Sequence, residues 1–170
     1  TSLNPLDLSP AHYDAVVAVS DGASRPGLVV QPLVPIATVP VCMPGLLPDG
    51  AAGPDFTHVP LLHTRPRPED WPRWLAHAGI RNVSAPQSGS SFESIGLTLQ
   101  AAAAGLGAAI AIRAMVQPHL DRGELAIAHP AVRPTRRHFC LIYDARLAAD
   151  ASLLKFQDWL MSVTAPMRTG

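Results

Sequence analysis

The stretch Gln87 to Ile112, QSGSSFESIGLTLQAAAAGLGAAIAI, constrains this chain most, because it reads as loop, capped helix, glycine break and buried strand in succession. Ser90 and Glu93 have the S-x-x-E spacing of a capping box, in which hydroxyl and carboxylate each satisfy an orphan backbone N–H. The spacing therefore predicts a helix from about Ser91. Ile95, Leu99, Ala102, Ala103 and Leu106 recur on one face of it, Gly105 and Gly107 end it, and Ala108–Ile112 follows as an apolar strand. A helix start ringed by hydroxyls and open N–H groups can hold a carboxylate or another polar ligand atom. Capping explains Ser90 and Glu93 without any ligand. It does not explain Ser91, Ser94 and Gly96 so close together, since glycine within a helix costs about 1 kcal/mol relative to alanine. The expectation is that something approaches this face closely.

The remaining pattern is that of an α/β protein. Tyr13 to Val19 is a continuous apolar run, as expected of a strand covered on both faces in a parallel sheet, and Ser20–Gly27 supplies the turn after it. Leu28–Val34 and Ile36–Cys42 read as two extended segments interrupted by Pro32, Pro35 and Pro40, with bends at the prolines. Proline makes up 18 of the 170 residues, about twice the usual share, and it is dense between Pro44 and Pro72, which predicts a loop-rich middle. Asp70 or Trp71 should cap a short helix with Pro72 in its first position and Gly79 at its exit; its tryptophans should pack. Ala114–Arg122 reads as a helix stopped by Gly123, Leu125–Ile127 as a short strand and His138–Tyr143 as a returning strand. Asp150 opens a last helix with the apolar stripe Leu153, Phe156, Leu160 and Val163.

Composition excludes several functions. Thirteen basic and thirteen acidic residues cancel, so the chain has no charge excess with which to grip a phosphate backbone. Cys42 and Cys140 fit neither a disulfide framework nor a zinc spacing and read as buried thiols of a reducing cytoplasm. Cys42 has no local activating charge that would make it a nucleophile. The seven histidines contain no helical pair with an acidic partner, and Gly105-Leu106-Gly107 follows a helix instead of opening one, so neither metal nor dinucleotide is expected. No leader and no membrane span is recognisable. No nucleophile, base and orienting group can be assembled, so catalytic residues and cofactors are expected to be absent.

The block SFESIGLTLQAAAAGLGAAIAI resembles the effector-binding domain of LysR-type transcriptional regulators, in the branch of the glycine-cleavage activator and the β-lactamase regulator. Further pieces follow the family's order: DAVVAV (Asp14–Val19), RPGL (Arg25–Leu28), PVCMPGLL (Pro40–Leu47), EDWPRWLAHAG (Glu69–Gly79), HFCLIY (His138–Tyr143) and LLKFQDWL (Leu153–Leu160). The resemblance implies a type II periplasmic-binding-protein-like, two-lobed α/β fold, incomplete at its N-terminus. Residues 1–38 would form part of the first lobe, 39–143 the second, and 144–170 the return to the first with its C-terminal helix. It implies an effector site at Ser91, Phe92 and Ser94 on the second lobe, with Thr1, Ser2, Ser20, Asp21 and Phe139 on the first. Where the branch carries Arg-Tyr-Gly after its first strand here, this chain has Ser20-Asp21-Gly22, so its ligand preference should differ.

By the same resemblance the protein is a cytoplasmic, non-catalytic sensor. A small molecule such as an amino acid or a cell-wall fragment would bind between the lobes and bias one lobe arrangement by differential affinity. The domain would form a homodimer, tetrameric in the full-length regulator, and reach DNA through an N-terminal helix-turn-helix outside this chain, with no membrane contact. The competing expectation is a free-standing solute-binding protein of a transporter, which shares the fold; an enzyme is a third, since fold alone does not fix function.

Overall fold

Two crossings divide the chain of this computed structural model, which describes residues 13–23, 25–47 and 55–168. Unit 1 comprises Thr1–Ile36 and Pro134–Gly170, and unit 2 comprises Ala37–Arg133. The crossings lie within two long strands, β2 (Leu28–Cys42) and β7 (Arg133–Asp144). The return to unit 1 thus falls at 133/134, where the sequence reading places it at 143/144. Thr1, Ser2 and His12 lie outside the described residues.

Unit 2 is organised by β5 (Ala108–Ile112), whose five residues are all buried. The far half of β2 pairs antiparallel with one edge of it, from Thr38↔Ile112 to Val41↔Ala109, and β3 (Leu61–Thr64) pairs parallel with the other. Beyond β3 lies the two-residue β4 (Ser91–Phe92), and β6 (Ala126–Ile127) pairs with β2. Side chains alternate across this sheet. Ala109 and Ala111 join Val39, Val41 and Leu62 on one face, against Leu99 and Ala102 of α2 (Ile95–Ala103) and Val116 of α3 (Arg113–Asp121). Ala108 and Ile110 face the other way, with Leu61, Phe56 and the tryptophans of α1 (Asp70–Ala78).

Trp71, Trp74 and Phe56 meet edge to face at 5.5–6.1 Å. Each indole N–H is satisfied, Trp71 Nε1 donating to Leu62 O at 3.0 Å and Trp74 Nε1 to Ala131 O at 3.1 Å. The tryptophans pack, as expected. Helix α1 begins two residues earlier than its proline suggests: Glu69 is the N-cap and Pro72 sits third, while Gly79 ends the helix at φ +72°.

Unit 1 contains β1 (Ala15–Ser20), β7, the near half of β2 and α4 (Ala151–Thr164). The apolar run of β1 is not a doubly covered parallel strand. It pairs antiparallel with β7, from Ala15↔Tyr143 to Ser20↔His138, at the end of the sheet, and Val17 is 52% exposed. Strand β2 is one uninterrupted element because Pro32 and Pro35 are exposed and the proline φ suits extended backbone. Asp150 caps α4 as read, accepting from Ser152 N at 3.0 Å and Leu153 N at 2.9 Å. Of the stripe on α4, Leu153 is buried, whereas Phe156 and Val163 are exposed.

Candidate effector-binding site

The local sequence folds differently from the capping box it suggests. Ser91 and Phe92 do not open a helix; they form β4, paired with His63 and Thr64 of β3. Two hydrogen bonds fix this pairing, His63 N to Ser90 O and Arg65 N to Phe92 O, each 2.8 Å. The strand bonds outcompete the Ser90 cap, and Glu93 is drawn into an exposed ion pair with Arg65. The helix starts four residues later, with Ser94 as its N-cap: extended at φ −142°, its Oγ accepts from Leu97 N at 3.4 Å.

Two threonines absent from the sequence expectation anchor that cap. Thr98, fully buried, donates through its hydroxyl to Ser94 O at 2.9 Å, and Thr64 Oγ1 lies 2.9 Å from Thr98 Oγ1. With the Thr98 proton committed to Ser94, Thr64 donates to Thr98, which ties α2's first turn to the end of β3. Thr98 N also bonds to Ser94 O, at 3.1 Å. The four N–H groups that this helix start leaves without intrahelical partners are those of Ser94 to Leu97, and Leu97's is served by Ser94 Oγ. Those of Ile95 and Gly96 remain open among the described residues.

Glycines hold the approach in place. A Cβ on Gly89, which has φ +133°, would lie 2.0 Å from Leu61 O, so only glycine lets this loop press against β3. His63 Nε2, bonded to Ser88 O at 3.0 Å, secures the same loop. Gly96 behaves otherwise than expected. The nearest atom to a Cβ there is Ser94 Oγ at 3.9 Å, so no other part of the chain crowds it. Leu106, placed by periodicity on the buried face of α2, lies after the helix end and is 59% exposed.

Of the predicted residues of unit 1, Ser20, Asp21 and Phe139 are described, and they do not form one surface. Ser20 is buried at the end of β1, and its Oγ accepts from Gly22 N at 3.2 Å. Asp21 is exposed and accepts from Ala23 N at 3.1 Å, a bond that lowers its pKa below the usual carboxylate value. Phe139 pairs with Val19, one residue out of phase with the Ser20↔His138 pair. Cross-strand partners share a face and successive residues alternate, so Phe139 and Ser20 sit on opposite faces. His138 is the side chain beside Ser20, and its Nδ1 is buried without a hydrogen-bond partner among the described residues. Register, which a single sequence does not display, would have been needed to find it.

No metal cluster is assembled among the described residues. Burial raises the pKa of both Cys42 and Cys140, the reverse of an activated thiol. No group of three His, Cys, Asp or Glu comes together there. His77 bonds to Val132 O, His119 to Glu124, and His129 Nδ1 accepts from Ala131 N. The half-buried Arg67–Asp70 pair, 3.1 Å apart, carries opposed shifts of one origin: burial lowers the arginine and raises the aspartate, against their mutual attraction. Cavities of about 190 Å³, at Leu61 and Ser88, and 340 Å³, at Leu75 and Ile80, include none of the predicted contacts. No helix among the described residues is long and apolar enough to cross a membrane.

Comparison with known proteins gives the chain's family and fold. The chain is 34% identical over 130 residues to the HTH-type transcriptional regulator TrpI of Pseudomonas aeruginosa, covering 74% of this chain and 44% of that protein. It is 29% identical over 156 residues to the glycine cleavage system transcriptional activator of Escherichia coli, covering 89% and 50%. The chain thus spans about half the length of these relatives. Among solved structures, it is similar to the effector domain of the transcriptional regulator AmpR of Pseudomonas aeruginosa, at TM-score 0.76 and 23% identity over 96% of this chain and 78% of that one. The AmpR effector-binding domain of Citrobacter freundii gives TM-score 0.78 and 23% identity over 97% and 81%. The family described as the LysR substrate binding domain matches residues 2–165. Its match over nearly the whole sequence, together with the shared fold, makes this chain a member of the LysR effector-binding domain family, with a type II periplasmic-binding-protein-like fold.

Proposed function

We propose that this chain senses a small-molecule effector within a LysR-type transcriptional regulator and passes the bound state to a DNA-binding domain elsewhere in the intact protein. The observation that carries the reading is the Ser94-capped start of α2, where the N–H groups of Ile95 and Gly96 are open among the described residues and Ser91, three residues before the cap, is exposed. Two N–H donors, a hydroxyl and the positive end of a helix dipole suit a carboxylate. Phe92, half-buried on the α2 core, supplies an apolar neighbour. An amino acid or a cell-wall peptide fragment offers that carboxylate. Ser20 and Asp21 of unit 1 would contact polar groups of the same effector, as would Thr1 and Ser2; Phe139, on the other face, would contact it least.

Signalling then requires an effector with unequal affinity for two states of the protein, since equal affinity shifts nothing. The assembled regulator would be a homodimer or tetramer acting in the cytoplasm. The relatives are transcriptional regulators, and the domain's part is recognition without turnover.

The test is a thermal-shift screen of the intact protein against amino acids and cell-wall fragments, repeated with Ser94→Ala. The expected outcome is a hit that raises Tm in the native protein by several degrees and much less in the variant. A hit that stabilises both equally removes Ser94 from the site, and steady consumption of a hit would replace sensing with catalysis.

A further inference from the structure

In unit 2, strands β3 and β5 run in the same direction and separate before either ends. Their ladder comprises Leu61↔Ala108 and Leu62↔Ala109, although β3 continues to Thr64 and β5 to Ile112. From His63 onward, β3 pairs with β4 on its other side. Ala108 N bonds to Pro60 O, so by strand alternation Ile110 O also points towards β3. A side chain fills the split there: Arg67 Nη2 donates to Ile110 O at 3.4 Å. Arg67 belongs to the connection between β3 and α1, and α1 and α2 pack on opposite faces of the sheet. Where helices leave a parallel sheet to opposite faces, the carboxyl ends of its strands border a crevice suited to ligands.

Folding stability gives little reason for this arginine. Its Nε meets Asp70 Oδ2 at 3.1 Å, but that oxygen is buried without a hydrogen-bond partner among the described residues. A desolvated and incompletely bonded ion pair is worth little against apolar side chains of equal volume. Arg133 and Arg73 act on Asp70 as well, so the one carboxylate balances only one of three guanidinium groups. The Arg67 side chain remains 26% exposed, and its Nη1 has no acceptor among the described residues.

We propose that Arg67, through Nη1 and the second Nη2 hydrogen, binds a carboxylate of the effector at a place distinct from the start of α2. The inference rests on the sensing role proposed above and narrows its ligand to a molecule with two acidic groups. In the sheet order β5-β3-β4, Arg67 serves the β5 side of β3, whereas α2 starts from the β4 side. Strands are spaced ~4.8 Å, so the two positions stand roughly 5–10 Å apart, the reach of a short dicarboxylic acid. A planar guanidinium meets a carboxylate with paired N–H bonds, whereas an amide offers one acceptor and opposes the rest with its own N–H groups.

The test is calorimetric titration of the intact protein, at constant ionic strength, with glutamate, glutarate, adipate and pimelate, each paired with its monoamide. The expected result is that at least one diacid binds about tenfold or more tighter than its monoamide. Arg67→Gln should remove that preference without weakening the monoamide, and Arg67→Lys should retain part of it. Diacids bound no better than their monoamides, or Arg67→Gln weakening both alike, would overturn the proposal. If Ser94→Ala weakens a bound diacid and Arg67→Gln does not, the sensing site stands without Arg67. Binding of none of these probes overturns the two-acid effector, while sensing itself is judged by the screen of amino acids and cell-wall fragments. Should Arg67→Gln fail to fold, Arg67→Lys and the diacid preference of the unsubstituted protein decide.

Discussion

Strands β5 and β1 are nearly equal in apolar character, AAIAI against AVVAVS, yet one is wholly buried and the other lies at an edge with Val17 and Val19 exposed. The contrast extends to their units. In unit 2, two clusters of buried side chains fill both faces of the sheet around β5. In unit 1, Leu154, Phe156, Trp159, Val163 and Met167 all reach the surface. An apolar run therefore selects extended backbone, but burial is a property of its neighbours. Strand β5 has β2 and β3 at its edges, with α1 and α2 contributing to the layers on its faces; among the described residues, β1 pairs with β7 alone.

The largest test of this contrast is a pair of core truncations. Trp74→Ala in unit 2 should cost about 3–5 kcal/mol, because a fully buried ring and a satisfied N–H are lost together, whereas Leu153→Ala in unit 1 should cost about 2 kcal/mol. Denaturant unfolding measures both, and equal costs would break the comparison. Next comes the buried hydroxyl relay. Thr98→Val should destabilise by about 1–2 kcal/mol by stranding Thr64 Oγ1, and adding Thr64→Val should recover part of that.

The helix caps offer a finer comparison. Each is worth ~1 kcal/mol, but Asp150 accepts two bonds at 2.9–3.0 Å and Ser94 one at 3.4 Å, so Asp150→Ala should lower Tm more than Ser94→Ala. The smallest effect is electrostatic and should be alike in both units. Bonds from Arg122 and His119 hold Glu124 at about 2, and bonds from Arg146 hold Asp144 at about 2. Carboxylates depressed in the folded state stabilise it above their ordinary values, 4.5 and 3.8, and lose that contribution as pH falls towards 2. Glu124→Gln and Asp144→Asn should each flatten the pH dependence of unfolding in that window. Both groups are exposed, so the changes should be small and screened by salt.

Much of the candidate site was legible, though not its geometry. The serines around Phe92 stood out because Ser and Gly are costly inside helices and useful at their starts. Which serine caps was not legible, because the choice depends on β3: once His63 and Arg65 bond to Ser90 and Phe92, the helix begins only at Ile95. Thr98 was passed over as an ordinary helical residue, and its role appears only when Thr64, distant in sequence, is brought against it. His138 became a neighbour of Ser20, and Phe139 was separated from it, through a register that one strand alone cannot express.

By itself, the order of residues determined the elements whose signals are short-range: the Asp150 cap, the Gly79 and Gly123 stops, the extended run of β5 and the packing tryptophans of α1. These depend on backbone preferences and on hydrogen bonds spanning a few residues. Tertiary structure decided the pairing of β1 with β7, the continuity of β2 through its prolines, the true cap of α2 and which apolar faces are closed. Each of those outcomes sets local bonds against contacts between distant segments, and the distant partner tips the balance.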